Sequence, residues 1–270
     1  MLRRIGLGIA AVLVLAAAGL RIFGEDLTPS VLNPPQENRA APAGAPVEHL
    51  SIASGTRHLD AQYVAAEPAC ARRAAVLIYH GRGETIDEWT EAQMLLRRHC
   101  IASLVFDYTG HGRSSPHGSV RRLNEDAVSA YAAFVAKTPA VRRCTISFSM
   151  GGGPMLEAAG RFKPQPDCVV VAAAFTSLRE LAVSDGAPAW LMALTPDSWN
   201  NRENIAKLRL PVLIVHSRAD RANPYWMGEA LYAAANPPKR FAPLKGFRHN
   251  AAYQKPGDGW WKPAIDFILG

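Results

Sequence analysis

Hydrophobic residues in most of this chain form short continuous runs, and longer stretches with helical spacing separate them. Runs such as Val76–Tyr79 and Val212–Val215 are typical of strands that are buried on both faces. The stretch Leu123–Lys137 has instead the apolar spacing of an amphipathic helix. This alternation predicts an α/β fold with a mostly parallel central sheet and helices on both of its faces.

The same alternation continues to the end of the chain. Thr85 and Glu88 have the spacing of a capping box at the start of the first helix. Two weaker runs, His49–Ala53 and Ala61–Ala65, are predicted to be opening strands. The remaining predicted strands are Ser103–Phe106, Thr145–Phe148, Cys168–Ala174 and Arg240–Leu244, and the remaining predicted helices are Thr85–Arg98, Met155–Phe162, Met227–Ala235 and Trp260–Leu269.

A different pattern precedes this alternation. The pair Arg3-Arg4 is followed by Ile5–Leu20, a run without a polar side chain that is typical of a signal peptide or a membrane anchor. The small residues Ala16–Ala18 favour cleavage, whereas Ile22-Phe23 would extend an uncleaved anchor, so both interpretations stay open. We therefore expect an exported protein of the periplasm or cell envelope, held at the inner membrane by residues 5–20 if the leader is retained.

Composition divides the chain into three parts. We expect a leader over residues 1–23, a Pro-rich tether over 24–46 and one α/β domain over 47–270. A chain of 270 residues with 49% hydrophobic side chains is long enough for one domain with a substantial core. The net charge of +7 is modest and its lysines and arginines are scattered, so no nucleic-acid partner is expected.

The most informative stretch is the buried strand Thr145–Phe148, which is followed by Ser149 and then by glycines. A serine at a sharp strand-to-helix turn presents its hydroxyl above the sheet, and the bend requires small residues on either side. Gly151 meets that requirement fully and Ser147 less well. Ser147 is an alternative nucleophile, but the glycines would then be out of register, so Ser149 is the predicted nucleophile.

Two candidate partners follow Ser149 along the chain. Asp220 lies in a loop after the predicted strand Val212–Val215, and His249 lies in the loop after the last strand. A serine hydroxyl needs a neutral imidazole to take its proton, and a carboxylate fixes the imidazole and stabilises its cation. Asp107 is a rival acid, but in this chain order the acid follows a later strand, which favours Asp220.

Main-chain amides are the expected donors for a tetrahedral oxyanion. The glycine-containing turn His80–Glu84 leaves a central strand, so the amide of Arg82 is the predicted first donor and that of Met150 the second. The Arg82 cation either favours anionic substrates or is simply solvated.

Together these residues resemble the motifs of a known family. The segments His80–Glu84, Asp107–Ser114, Ser147–Gly152, Arg218–Asp220 and His249-Asn250 are similar to successive landmarks of the small-cap α/β-hydrolases, a group that includes membrane-anchored protein depalmitoylases. The resemblance extends from about Val76 to the C-terminus and implies that Asp107 belongs to a structural loop.

Three positions depart from that group: Ser147 replaces a glycine, Arg82 an asparagine, and Arg248 the glycine that commonly precedes the histidine. They leave the Ser-Asp-His set intact and affect the substrate range.

The four cysteines, Cys70, Cys100, Cys144 and Cys168, match no zinc-binding spacing. In an exported protein disulfides are the leading explanation, and four buried thiols are the alternative. The strand order that the resemblance implies pairs Cys70 with Cys100 and Cys144 with Cys168. The pairs Arg72-Arg73, Arg97-Arg98 and Arg142-Arg143 come to the same end of the sheet, where they either face anionic lipid or form a solvated face.

Only a short segment, between Phe175 and Pro211, is available for a cap over the site. Such a small, open cap suits esters or thioesters of short to medium acyl groups. The predicted pocket residues are Trp190, Met192, Tyr225 and Trp226.

The favoured function is a serine hydrolase that cleaves carboxylic esters or thioesters through an acyl-enzyme. The alternatives are a peptidase or amidase on the same three residues, and a non-catalytic binding protein with a hydrolase fold. We expect a small-molecule or acyl ester as the binding partner, and no cofactor or metal.

Overall fold

A computed structural model describes residues 44–70, 74–139 and 141–270. The expected leader, and the tether as far as residue 43, lie outside these residues. Within the described part of the chain, no helix is both long and apolar enough to cross a membrane.

The described chain builds one eight-stranded sheet in the order β1-β2-β4-β3-β5-β6-β7-β8. β3 to β8 are mutually parallel, and β1 and β2 add an antiparallel hairpin beside β4. Both weakly indicated opening strands are therefore present. The strands are β1 (Val47–Ser54), β2 (Arg57–Val64), β3 (Ala74–Tyr79), β4 (Ile101–Phe106), β5 (Arg142–Phe148), β6 (Cys168–Ala172), β7 (Val212–Ser217) and β8 (Lys239–Leu244).

Helices cover both faces of this sheet, as the alternating pattern predicts. They are α1 (Thr90–Arg98), α2 (Val120–Lys137), α3 (Gly152–Ala158), α4 (Leu178–Ser184), α5 (Ala189–Met192), α6 (Asn201–Ile205), α7 (Tyr225–Ala234), α8 (Ala251–Gln254) and α9 (Asp258–Leu269). The predicted helix Thr85–Arg98 begins as a 3-10 turn over Ile86–Trp89, and the main-chain N–H of Thr85 donates to Glu88 Oε2 at 3.1 Å.

Two hydrophobic cores explain why the central strands are apolar on both faces. All six residues of β3 are buried, and alternate residues belong to opposite cores. Leu77 faces the core that includes α2, α3 and α7, while Ile78 faces the core that includes α1 and α9. Because the parallel strands point the same way, the loops after β3, β5, β7 and β8 all emerge at one edge, which we call the carboxyl edge.

A small cap of three short helices, α4 to α6, connects β6 to β7. Its helices were not predicted individually, because α4 and α5 contain no buried residue and so lack a core-facing apolar stripe. Trp199, near the end of the cap, packs instead against the main body. It is 2% exposed, and a Cβ on Gly153 of α3 would lie 2.3 Å from its ring.

Two disulfides lie at the edge of the sheet opposite to the carboxyl edge. They join Cys70 to Cys100 and Cys144 to Cys168, the two pairs that the resemblance implies. Cys144 and Cys168 are also register partners in β5 and β6, so the second bridge joins neighbouring strands directly.

Each bridge closes a loop of similar length, with sequence separations of 30 and 24 residues. We therefore expect the double variants Cys70→Ser/Cys100→Ser and Cys144→Ser/Cys168→Ser to lose similar free energies of unfolding, about 3 kcal/mol each. Urea unfolding of the oxidised proteins measures both losses. Free thiols or crossed pairs in a mass map of the unreduced protein would contradict this arrangement.

Candidate active site

Ser149 occupies the turn between β5 and α3 in a conformation that side chains rarely adopt, with φ of 52°. β5 ends at Phe148, and Ser149 begins a 3-10 turn that leads directly into α3. The turn packs tightly against β3: a Cβ on Gly151 would lie 2.0 Å from the carbonyl oxygen of Tyr79. Only glycine fits at position 151, as the sequence predicts for a strained serine turn.

The three residues that sequence order singled out meet at the carboxyl edge. His249 Nε2 lies 2.9 Å from Ser149 Oγ, and His249 Nδ1 lies 2.7 Å from Asp220 Oδ2. Asp220 is itself held in place, because its Oδ1 accepts the main-chain N–H groups of Ala222 and Asn223, both at 2.9 Å. This gives a continuous hydrogen-bonded chain from carboxylate to imidazole to hydroxyl.

The surroundings of Asp220 keep its carboxylate ionised. Burial opposes ionisation, but the hydrogen bond with His249 and that from the Asn223 amide together hold the pKa of Asp220 below its usual value. A second histidine, His216, also lies near the Asp220 carboxylate. It donates its Nε2–H to the Asn223 carbonyl at 2.9 Å, and burial lowers the pKa of its imidazole. His216 therefore supports the Asp220 loop as a neutral ring. Sequence reasoning missed it, since a histidine inside a strand carries no local signal.

Aromatic side chains surround the imidazole of His249. Its ring lies 5.0 Å, centroid to centroid, from that of Phe148, which in turn lies 5.8 Å from Tyr253. Both aromatic residues are buried and shield one side of the site from water. Neither was singled out from the sequence, where they are indistinguishable from ordinary core residues.

The turn after β3 lies directly against the serine turn. A Cβ on Gly151 would lie 2.7 Å from the His80 carbonyl oxygen. Glu84 holds this turn in place, because its Oε2 accepts the Gly81 N–H and the Trp89 indole N–H, both at 2.9 Å. The sequence motif includes Glu84 but gave it no role. Arg82 follows Gly81 with an exposed side chain, and Met150 begins the neighbouring turn, so the two predicted oxyanion donors lie on adjacent segments.

Asp107, the rival acid, is engaged elsewhere. Its Oδ1 accepts the Ile86 N–H at 3.0 Å and lies 3.3 Å from His80 Nε2, while His80 Nδ1 lies 2.7 Å from the Gly81 carbonyl. Both nitrogens of His80 thus face acceptors, which only the doubly protonated ring satisfies. Burial disfavours this cation, but Asp107 and Glu84 more than compensate and raise the pKa of His80. The structure therefore assigns Asp107 to His80 and Asp220 to His249.

The four predicted pocket residues occupy two places. Trp190 and Met192 lie on α5, where Trp190 is 70% exposed. Tyr225 and Trp226 open α7, with Trp226 also exposed. Tyr225 packs under the Arg218 guanidinium, 4.4 Å from the ring centroid, and against other rings beside β7 and β8. Their contact with an acyl group stays a prediction.

Comparison with known proteins gives matches to hydrolases. Residues 71–202, just under half of the chain, match the family model described as Serine aminopeptidase, S33. An uncharacterized protein of Mycobacterium tuberculosis is 27% identical over 65% of this chain and 63% of its own length. Lysophosphatidylserine lipase ABHD12 of Macaca fascicularis is 26% identical over 70% of this chain and 55% of its own. The matches thus span less than two thirds of either relative.

Solved structures show the same fold at low sequence identity. The esterase Pf2001 of Pyrococcus furiosus superimposes with a TM-score of 0.66 at 16% identity, covering 87% of this chain and all of the other. Est1E of Butyrivibrio proteoclasticus, solved with ferulic acid, gives 0.64 at 16% identity, covering 82% of this chain and 96% of the other. The chain therefore has the α/β-hydrolase fold.

A buried histidine beside the site makes stability depend on pH. Burial and the neighbouring His80 cation lower the pKa of His111 to about 3. Between about pH 6.5, the unfolded value, and pH 3, the unfolded chain binds a proton that the folded chain rejects. This contribution to stability is therefore complete above pH 6.5 and is lost as the pH falls.

In that pH range His111 makes the free energy of unfolding fall as the pH falls. We expect His111→Asn to make this fall less steep, by up to about 1.4 kcal/mol per pH unit. Urea titrations from pH 7 to pH 4 measure the slope. His117→Asn, which removes an exposed imidazole, is the matched control and should leave the slope as in the wild type. Equal slopes in wild type and His111→Asn would contradict a neutral, buried His111.

Proposed function

We propose that this protein is a serine hydrolase that cleaves carboxylic ester or thioester bonds through an acyl-enzyme. The observation that carries the proposal is the continuous hydrogen-bonded chain of Asp220, His249 and Ser149 at the carboxyl edge of the sheet. Each group has the chemical character that this reaction requires, and no cofactor or metal enters the proposed steps.

In the first half-reaction, Ser149 Oγ attacks the acyl carbon while its proton passes to His249 Nε2. The imidazolium that forms donates its Nδ1–H to Asp220, whose depressed pKa keeps it anionic at neutral pH. The carbonyl oxygen becomes a tetrahedral oxyanion, for which the amides of Arg82 and Met150 are the proposed donors. His249 then gives its proton to the departing alcohol or thiol, leaving an acyl group on Ser149.

The second half-reaction repeats these steps with water. His249 takes a proton from the water as it attacks the acyl carbon, and returns that proton to Ser149 Oγ when the acid leaves. The His80–Glu84 turn is fixed before substrate arrives, because Glu84 accepts the Gly81 N–H and Asp107 pairs with His80. Such preorganised donors stabilise charge without reorganising during the reaction.

Relatives and the cap support an ester over other substrates. ABHD12 is named as a lysophosphatidylserine lipase, and structural neighbours are named as esterases. The small cap between β6 and β7 leaves the site open, which suits short to medium acyl groups. An aminopeptidase or amidase is the second candidate, which the description of the matching family model favours. The apolar leader supports export to the cell envelope.

Two serines on either side of Phe148 provide a matched test of the nucleophile. We expect Ser149→Ala to lower kcat for p-nitrophenyl butyrate by about 10⁴-fold or more, because the attacking oxygen is lost. Ser147→Ala is the control: its hydroxyl is fully buried, lies in β5 and has no hydrogen-bond partner among the described residues. The control should keep kcat within about threefold of the wild type, since it removes no group from the reaction.

Loss of activity in Ser147→Ala with activity retained in Ser149→Ala would overturn the assignment. Parallel assays with a p-nitrophenyl ester and the p-nitroanilide of the same acyl group separate the two candidate functions. Faster turnover of the ester supports the proposal, and faster turnover of the anilide supports the amidase.

A further inference from the structure

The sheet has two outermost strands, and only one of them carries residues that prevent pairing with another chain. β8 contains Lys239, Arg240 and Pro243, the residue types that protect the open side of an outermost strand. β1 contains no lysine, arginine or proline, and all eight of its residues pair in unbroken register with β2. No other described strand pairs with its outer side. β1 is therefore a long, regular strand that is open to one further strand.

Main-chain hydrogen bonds show which groups of β1 face inward. In β2, the carbonyl of Asp60 accepts a main-chain N–H just beyond the end of β4 at 2.8 Å, so the main-chain groups of Asp60 face β4. These groups alternate in direction along a strand, and those of the next residue, Ala61, therefore face β1. Ala61 pairs with Leu50, so the main-chain groups of Leu50 face β2.

By the same alternation, three residues of β1 direct their N–H and C=O groups outward: His49, Ser51 and Ala53. Their side chains are exposed. Leu50 and Ile52 lie on the other face of the strand, where they pack against the core that includes α2. A groove follows this side of β1, and on α2 it is lined mostly by small side chains, those of Ser129, Ala132, Ala133 and Ala136. An added strand would pair with the outward groups and cover this groove.

A second copy of the chain fits β1 in an antiparallel register. When Ser51 of each copy lies opposite Ser51 of the other on a two-fold axis, His49 of each copy lies opposite Ala53 of the other. All three outward residues then pair, which gives about six main-chain hydrogen bonds, within the range of a typical interface. On the groove side, the same register places Leu50 opposite Ile52 of the second copy, and such apolar pairs stabilise neighbouring strands.

The neighbouring registers match the side chains less well. An axis at Leu50 would place the carboxylate of Glu48 opposite Ile52 of the second copy. An axis at Ile52 would place Leu50 opposite Ser54. With the axis at Ser51, Glu48 lies opposite Ser54, so polar residues meet polar residues and no like charges are directly opposed. The side chains of β1 are therefore complementary to those of a second β1.

We propose that two copies of this protein associate through β1 and join their sheets about a two-fold axis at Ser51. β1 runs parallel to β4, because each of them is antiparallel to β2. In the antiparallel pair of copies, the two carboxyl edges therefore lie at opposite ends of the joined sheet. Both candidate active sites stay open, and the association does not rest on the proposed function.

Cysteine crosslinking of the full chain tests the register. Ser51→Cys places two thiols at the axis, where the Cα atoms of a hydrogen-bonded pair lie about 5.5 Å apart, within the range of a disulfide. His49→Cys and Ala53→Cys are the matched controls, because each position is exposed but lies about 14 Å from its own counterpart. Each variant is oxidised with copper-phenanthroline in a mild detergent that dissolves the apolar leader, which all three share.

We expect Ser51→Cys to give about tenfold or more crosslinked dimer than either control on a non-reducing gel, because only its thiols are within bonding distance. Equal yields from the three variants would overturn the proposal. So would the absence of a dimer from Ser51→Cys, which is the outcome if β1 pairs with another segment of its own chain or with a foreign peptide.

Sedimentation equilibrium of the full chain tests the association without added cysteines. Ser51→Pro removes an outward N–H from each copy but no hydrogen bond within the monomer, and Ser51→Thr keeps that N–H as the control. We expect Ser51→Pro to raise the dimer dissociation constant about tenfold or more above those of the wild type and the control, with an unchanged Tm. A wild type that stays monomeric, or equal constants for the two variants, would contradict pairing through β1.

Discussion

The close contact between the serine turn and the end of β3 is the constraint on which the rest of the site depends. Gly151 lies so near the carbonyl oxygens of Tyr79 and His80 that no larger residue fits. At this contact Ser149 has a left-handed conformation, and the turn after β3 lies beside the turn after β5. The proposed nucleophile and the proposed oxyanion donors thus lie on either side of one packing contact between two neighbouring parallel strands.

Two histidine–carboxylate pairs lie at this edge and have opposite roles. Asp220 and His249 belong to the loops after β7 and β8 respectively, and the exposed side of this pair contacts Ser149. His80 and Asp107 are fully buried and hold the neighbouring turn. Burial separates the roles: the enclosed pair of His80 and Asp107 stabilises structure, whereas the imidazole of His249 is partly accessible and contacts the serine.

Much of the fold and of the candidate site could be predicted from the sequence, because both depend on local patterns. The apolar runs specify the buried strands, and chain order alone brings Asp220 and His249 to the edge where Ser149 emerges. The cap helices could not be predicted, since α4 and α5 bury no side chain and so leave no periodic pattern. The roles of Glu84, His80 and His216 depend on contacts between distant elements, such as the 3.3 Å pair of His80 and Asp107, which sequence spacing does not reveal.

We propose that the strained turn makes Ser149 the single activated nucleophile. Its most direct test is the site of a covalent adduct after the folded protein reacts with a fluorophosphonate, located by tandem mass spectrometry of the peptide that spans β5 and α3. We expect one phosphonyl group, on Ser149 Oγ, and its loss when His249 is replaced by alanine. A group on Ser147, or an unmodified peptide from folded protein, would contradict it.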